Sequence, residues 1–275
     1  MTEALVRTED AVLPGTPAIK VRVYRPDAPQ VEPATTVLWI HGGAFIGGSL
    51  DMTEADAPCR SFAAAGLTAV SVDYRLAPGF ASRAQRHPDA IRYPLPLEDC
   101  VAAWQWAGRF GSPRMFVGGA SAGGALATTL VVRLRRQAAR LPDGIVLAYP
   151  LLHAELPPLP PQVRSSLRGL RRLGTFGPRS VRWMGRNYVG PDGLEHLDEA
   201  FPHPRDCPGF PPTLIVDAER DSLRASSIAF AAALQKHGVP VTHLVERGAR
   251  HGYLDRAGGA AQRATLRRMA DWMVP

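Results

Sequence analysis

Runs of apolar and β-branched residues recur along the chain, several of them ending at glycine or proline: Thr36 to Ile40, Leu67 to Tyr74, Met115 to Val117, Ile145 to Tyr149, Thr213 to Val216 and Val241 to Val245. Short runs of this kind predict strands buried on both faces. Ile19 to Tyr24 instead alternates apolar and basic residues, which predicts an edge strand after an extended N-terminal stretch. Between the runs lie segments of helical period, Thr53 to Ala65, Leu97 to Phe110, Ala122 to Arg140, Ser226 to His237 and Ala260 to Met273. Strands alternating with helices imply right-handed βαβ units and a mostly parallel central sheet flanked by helices. Ligands of such a sheet bind where its strands end.

Leu151 to Pro212 breaks the alternation. It is rich in proline and arginine, with only weakly periodic pieces such as Arg179 to Tyr188. A structureless loop of that length is uncommon inside a compact domain. The expected organisation is therefore a core of residues 1–150 and 213–275, with residues 151–212 inserted over the sheet as a cap containing some helix.

The chemistry-bearing residues fall where the strands end. Gly119-Ala120-Ser121-Ala122-Gly123 stands between a strand and a helix and fits the G-x-S-x-G elbow, in which small neighbours leave room for a serine on a strained turn. A plain glycine turn or a phosphate cradle is the competing reading, and the absence of a P-loop lysine and of a GxGxxG spacing weighs against the latter. His41-Gly42-Gly43-Ala44-Phe45 also follows a strand. Its side-chain-free residues suit backbone donors aimed at an oxyanion, so Gly42 and Gly43, with Ala122, are the expected oxyanion hole. His251, in Arg250-His251-Gly252-Tyr253, lies late in the chain after a strand, where a general base belongs. Asp221, just beyond the strand Thr213 to Val216, is the expected orienting carboxylate, with Asp217 and Glu219 as rivals and helix capping as its alternative role.

The order serine, aspartate, histidine is that of α/β-hydrolases. HGGAF at 41 to 45, VDYRLAP at 72 to 78, YPLPLEDC at 93 to 100, GGASAGG at 118 to 124, ERDSL at 219 to 223 and RHGY at 250 to 253 strongly resemble the hormone-sensitive-lipase-like family of bacterial esterases. The resemblance implies a hydrolase of carboxylic esters working through an acyl-enzyme, with no metal or organic cofactor. Three departures bear on the substrate. Gly79 stands where the family often has an acidic residue and begins a longer loop, Ser222 replaces a frequent proline ahead of Ala225-Ser226, and the N-terminal helical part of the cap is absent. A reduced cap implies a more open pocket.

A short or medium-chain ester, or an acyl or lactone group on a small metabolite, is the expected substrate. An acyltransferase or thioesterase acting on a carrier-bound chain shares the same motifs, as does a non-catalytic small-molecule binder, although no triad residue is missing. The net charge of +7 comes almost wholly from arginine, since lysine occurs only at Lys20 and Lys236. The arginines are scattered and accompany no nucleic-acid-binding signature, so a nucleic-acid partner is not expected. Within Val163 to Gly190, Arg164, Arg168, Arg171, Arg172, Arg179, Arg182 and Arg186 occur without an acidic residue. That segment is either a solvated face or an attractor for an anionic substrate or an acidic carrier protein; a homodimer is also compatible with the chain. Cys59, Cys100 and Cys207 form neither a disulfide framework nor a metal spacing. With no basic-then-apolar leader and no apolar run long enough to span a bilayer, the cytoplasm is the expected location.

Overall fold

The computed structural model describes residues 6–14, 18–27, 34–80, 82–87, 89–167 and 175–274. The described strands are β1 (Val6–Leu13), β2 (Ile19–Pro26), β3 (Thr35–Ile40), β4 (Thr68–Asp73), β5 (Arg114–Ala120), β6 (Gly144–Ala148), β7 (Thr213–Arg220) and β8 (Val241–Arg250). They form one sheet in the order β1-β2-β4-β3-β5-β6-β7-β8. The strands from β4 across to β8 pair in parallel, whereas β1 with β2 and β2 with β4 are antiparallel. Ile19 to Tyr24 is therefore not the edge expected of it. The edge is β1, whose sequence VRTEDAVL leaves most of its side chains in water and so lacks an apolar pattern.

Successive residues of a strand face opposite sides of the sheet, and in β3 this sorts the fully buried side chains between two cores. Val37 and Trp39 join Phe62, Leu266, Met269 and Met273 on one side, while Leu38 and Ile40 join Leu97, Leu126, Leu130 and Phe230 on the other. Helices α1 (Thr53–Ala64) and α8 (Ala260–Met273) thus cover the first face, and α2 (Leu95–Ala107), α3 (Ala122–Arg136) and α7 (Arg224–Lys236) the second. The five helices expected from periodicity are present with their ends moved by a few residues.

Between β6 and β7 the chain carries α4 (Pro161–Ser166), α5 (Pro178–Val189) and α6 (Leu197–Ala200). On α5 the buried residues Val181, Met184, Gly185, Tyr188 and Val189 follow helical spacing, and Val181, Met184 and Tyr188 join the second core. Stacking of Tyr188 on Phe45, centroids 4.0 Å apart, fastens this helix to the loop after β3. Among the described residues no helix is long and apolar enough to cross a membrane.

Candidate active site

The strand order reverses direction between β3 and β5, and the two loops expected to carry chemistry leave the carboxyl ends of these neighbouring strands. Ser121 follows β5 directly, with φ 52° and ψ −118°, a conformation rare for a side-chain-bearing residue. Its position is the N-cap of α3, where serine ordinarily accepts a hydrogen bond from the first helical turn. Here the side chain makes no such cap bond. Instead Ser121 Oγ lies 2.9 Å from His251 Nε2, and His251 Nδ1 lies 2.6 Å from Asp221 Oδ2. The structure thus brings together Ser121, His251 and Asp221; an ionised carboxylate only accepts, so Nδ1–H donates to it, and in the neutral imidazole Nε2 accepts from the hydroxyl.

Asp221 is fully buried, and its other oxygen accepts the Leu223 N–H at 2.9 Å. It therefore has both the local turn bond that its sequence position suggests and the contact to histidine. Burial pushes the His251 imidazolium down, but the charge and hydrogen bond of Asp221, with lesser help from Glu54 and Asp217, outweigh it and leave the pKa above the ordinary histidine value. The rival acids are engaged elsewhere. Asp217 Oδ2 is 2.7 Å from His243 Nε2 while its Oδ1 accepts from Ser227 Oγ at 2.7 Å, and Glu219 accepts the Gly248 N–H at 2.8 Å.

The glycine loop after β3 meets the elbow backbone to backbone. A Cβ on Gly123 would fall 2.1 Å from the Ile40 carbonyl oxygen, and one on Gly42 would fall 3.1 Å from Ser121 Cβ. Gly42, expected as an oxyanion donor, has its N–H committed to Glu54 Oε1 at 2.8 Å, and a donor already paired inside the core is not free for a ligand. The next peptides turn through left-handed conformations, with φ 108° at Gly43 and 55° at Ala44. Among the described residues, the N–H groups of Gly43, Ala44 and Ala122 donate to no other group. His41 braces the loop from below: its Nδ1 is 2.8 Å from the Gly42 oxygen, its ring stacks on Tyr74 at 4.4 Å, and burial lowers its pKa to about 4.

Several contributors carry no local signal. Glu54 looks like an ordinary acidic residue in a first helical turn, yet it is buried and also accepts the Tyr149 hydroxyl at 2.5 Å. Phe176 sets its ring edge-on to His251 at 4.8 Å, and Ser222, the residue standing in place of proline, donates to the Phe176 carbonyl at 2.6 Å. Phe176 lies against the histidine, and Ser121 is only 8% exposed. Beside it, Leu156, Pro158, Leu159, Leu167, Phe176 and Pro178 line an apolar cavity of about 520 Å³. Of the arginines between Val163 and Gly190, Arg164 borders this cavity, whereas Arg179, Arg182 and Arg186 project from the exposed face of α5, Arg182 pairing with Glu155 at 2.9 Å. Arg168, Arg171 and Arg172 lie outside the described residues.

The alpha/beta hydrolase fold family model matches residues 37–255. Esterase LipI of Mycobacterium tuberculosis is 33% identical over 263 residues, which span 90% of this chain and 76% of that protein. Ethyl acetate hydrolase of Pseudomonas putida is 30% identical over 264 residues, 90% of this chain and 74% of its own. The solved structure of brefeldin A esterase, a bacterial homologue of human hormone-sensitive lipase, superposes with a TM-score of 0.79 at 25% identity, covering 98% of this chain and 76% of that one. The chain belongs to the α/β-hydrolase-fold family, in its hormone-sensitive-lipase-like group, and is a carboxylesterase-type hydrolase.

Proposed function

We propose that the chain hydrolyses carboxylic esters through an acyl-enzyme on Ser121. The observation that carries this reading is the continuous hydrogen-bond chain from Ser121 through His251 to Asp221, at 2.9 Å and 2.6 Å. His251 Nε2 takes the hydroxyl proton as Oγ attacks the ester carbonyl carbon. The negative oxygen of the tetrahedral intermediate is held by the N–H groups of Gly43, Ala44 and Ala122, with Ala44 in the role expected of Gly42. Ala122 is the first residue of α3, so its N–H has no partner within the helix and the positive end of the helix dipole adds to the field. His251 then returns the proton to the leaving alcohol, and a water deprotonated in the same way attacks the acyl carbon and frees the acid.

The substrate class we favour is a short or medium-chain ester, or an acyl or lactone group on a small metabolite. The apolar cavity of about 520 Å³ behind Phe176 supports a modest hydrocarbon moiety, and ethyl acetate hydrolase, a relative, is named for a short ester. We also place the cap at residues 151–212, over the carboxyl ends of the strands.

The test is a fluorophosphonate adduct read by intact mass, followed by rates on p-nitrophenyl esters of increasing chain length. Ser121→Ala should abolish the adduct and lower kcat by at least about a thousandfold. Alanine fits the same turn, so the fold should persist. Turnover near that of the parent protein would end the proposal.

A further inference from the structure

Glu54 is 4% exposed and sits beside the active site, yet the acyl-transfer steps do not use it. A carboxyl group in such a place costs solvation that an apolar side chain would not. Burial accordingly raises its pKa, against the opposing pull of the Tyr149 hydroxyl, His251 and the Gly42 N–H. Every polar atom of the residue is spoken for. Oε1 accepts the Gly42 N–H at 2.8 Å and Oε2 accepts the Tyr149 hydroxyl at 2.5 Å, while the backbone N–H donates to Asp255 Oδ1 at 3.2 Å and the carbonyl accepts from Trp39 Nε1 at 2.8 Å. Tyr149 in turn accepts the Leu254 N–H at 3.3 Å and lays its ring against His251, centroids 4.8 Å apart at 64°. The Glu54 side chain therefore joins the loop after β3 to the residue after β6, and its backbone N–H and Tyr149 link both to the segment following His251.

We propose that Glu54 is a positioning residue for the oxyanion hole and the catalytic histidine. Taking the Gly42 N–H fixes the peptide plane from which the chain turns, so that the following N–H groups of Gly43 and Ala44 are delivered to the Ser121 side instead of swinging with the loop. No slack remains in the contact, because a Cβ on Gly42 would fall 2.3 Å from Oε1. Through the second oxygen Glu54 holds Tyr149, whose backbone sits at φ 35° and whose ring forms the surface against which His251 packs. Oxyanion stabilisation depends on donors that need no reorganisation when charge develops, so a loosened loop lowers the chemical step and leaves ground-state binding almost untouched.

This inference rests on the triad and oxyanion hole proposed above, and the two can fail separately. Fluorophosphonate labelling of Ser121 in the parent protein tests the first without reference to Glu54. For the second, Glu54→Gln, Glu54→Ala and Tyr149→Phe are made in the full chain, with kcat, KM, melting temperature and affinity for a trifluoromethyl ketone measured on each. Glu54→Ala should lower kcat by about 10- to 100-fold and weaken the ketone by a similar factor, with KM within about threefold of the parent. Glu54→Gln keeps an oxygen for the Gly42 N–H and should recover most of the loss, to within about tenfold of the parent. Combining Glu54→Ala with Tyr149→Phe should cost little more than Glu54→Ala alone, since the two act as a unit. A folded Glu54→Ala protein with kcat and ketone affinity within about twofold of the parent overturns the proposal. So does one that loses melting temperature while ketone affinity is unchanged. Should the alanine variant not fold, parent-like kcat and ketone affinity in Tyr149→Phe, which removes the hydroxyl that Glu54 holds, overturn it as well.

Discussion

Asp221→Asn changes one oxygen to an NH₂ group and tests the catalytic assignment with the least disturbance of shape. In the parent, Oδ1 accepts the Leu223 N–H at 2.9 Å and Oδ2 accepts His251 Nδ1–H at 2.6 Å. Asparagine must keep its oxygen on the Leu223 N–H, because two donors cannot face each other in a buried site. Its NH₂ then faces His251 Nδ1, which becomes the acceptor, and the imidazole proton moves to Nε2, the atom 2.9 Å from Ser121 Oγ. A protonated Nε2 cannot take the serine proton. The wrong tautomer in a serine triad lowers kcat by about ten-thousandfold, or about 5.5 kcal/mol at 1.36 kcal/mol per tenfold. The assay is kcat on p-nitrophenyl butyrate, normalised to properly folded protein by circular dichroism. Asp217→Asn is the control, because Asp217 holds His243 and Ser227 and should leave kcat within about threefold. A kcat within about tenfold of the parent for Asp221→Asn, or a collapse in Asp217→Asn alone, would refute the assignment.

The pH profile follows from the raised pKa of His251. In the proposed mechanism the base is the neutral imidazole, so a pKa above the ordinary value moves the loss of activity to higher pH. The acid limb of kcat/KM should therefore have its midpoint above about 6.5, and a midpoint near pH 5 would contradict the dominance of Asp221. Of the described arginines between Val163 and Gly190, Arg164 is the one at the apolar cavity. Because exposed attraction is screened over about 8 Å at physiological ionic strength, added salt should lower kcat/KM more for an ester bearing a free carboxylate than for a neutral one, and Arg164→Gln should erase most of that difference. Equal salt responses would return Arg164 to solvated surface.

Elements whose signal is carried by neighbouring residues were legible. The strands around β3 and β5 and the five long helices follow from apolar runs, helical period and the tight turns that end them, and Ser121 and His251 stand out by the G-x-S-x-G elbow and the late RHGY turn. The edge strand β1 was not, because an exposed strand has no reason to carry an apolar pattern, and its charged side chains are satisfied by partners across the sheet edge such as Arg22 on Asp10 at 2.6 Å. Asp217 and Asp221 differ in register, which the sequence does not display. Asp217 still belongs to β7, where its diagonal neighbour across the parallel pair is His243, whereas Asp221 lies just past the strand end. Which N–H of His41-Gly42-Gly43-Ala44 is free is equally invisible locally, since the answer depends on Glu54 entering from α1.

The glycines around Ser121 illustrate how one local constraint produces the geometry of the whole site. Gly119 and Gly123 keep ordinary negative-φ backbones; the unusual turn belongs to Ser121 itself. What these glycines supply is space. A Cβ on Gly119 would lie 2.4 Å from the Gly123 oxygen, and one on Gly123 would lie 2.1 Å from the Ile40 oxygen. Removing both side chains lets the start of α3 press against the end of β3, and that contact brings the loop after β3 alongside Ser121. Gly42 then has no room for a side chain either, being in contact with both the elbow and Glu54. Closeness between the serine and its candidate donors is thus a consequence of backbone packing at the switch point of the sheet. Because the packing leaves no slack, the remaining freedom of the loop lies in the rotation of its peptide planes, and the Glu54 carboxylate is the group placed to remove it.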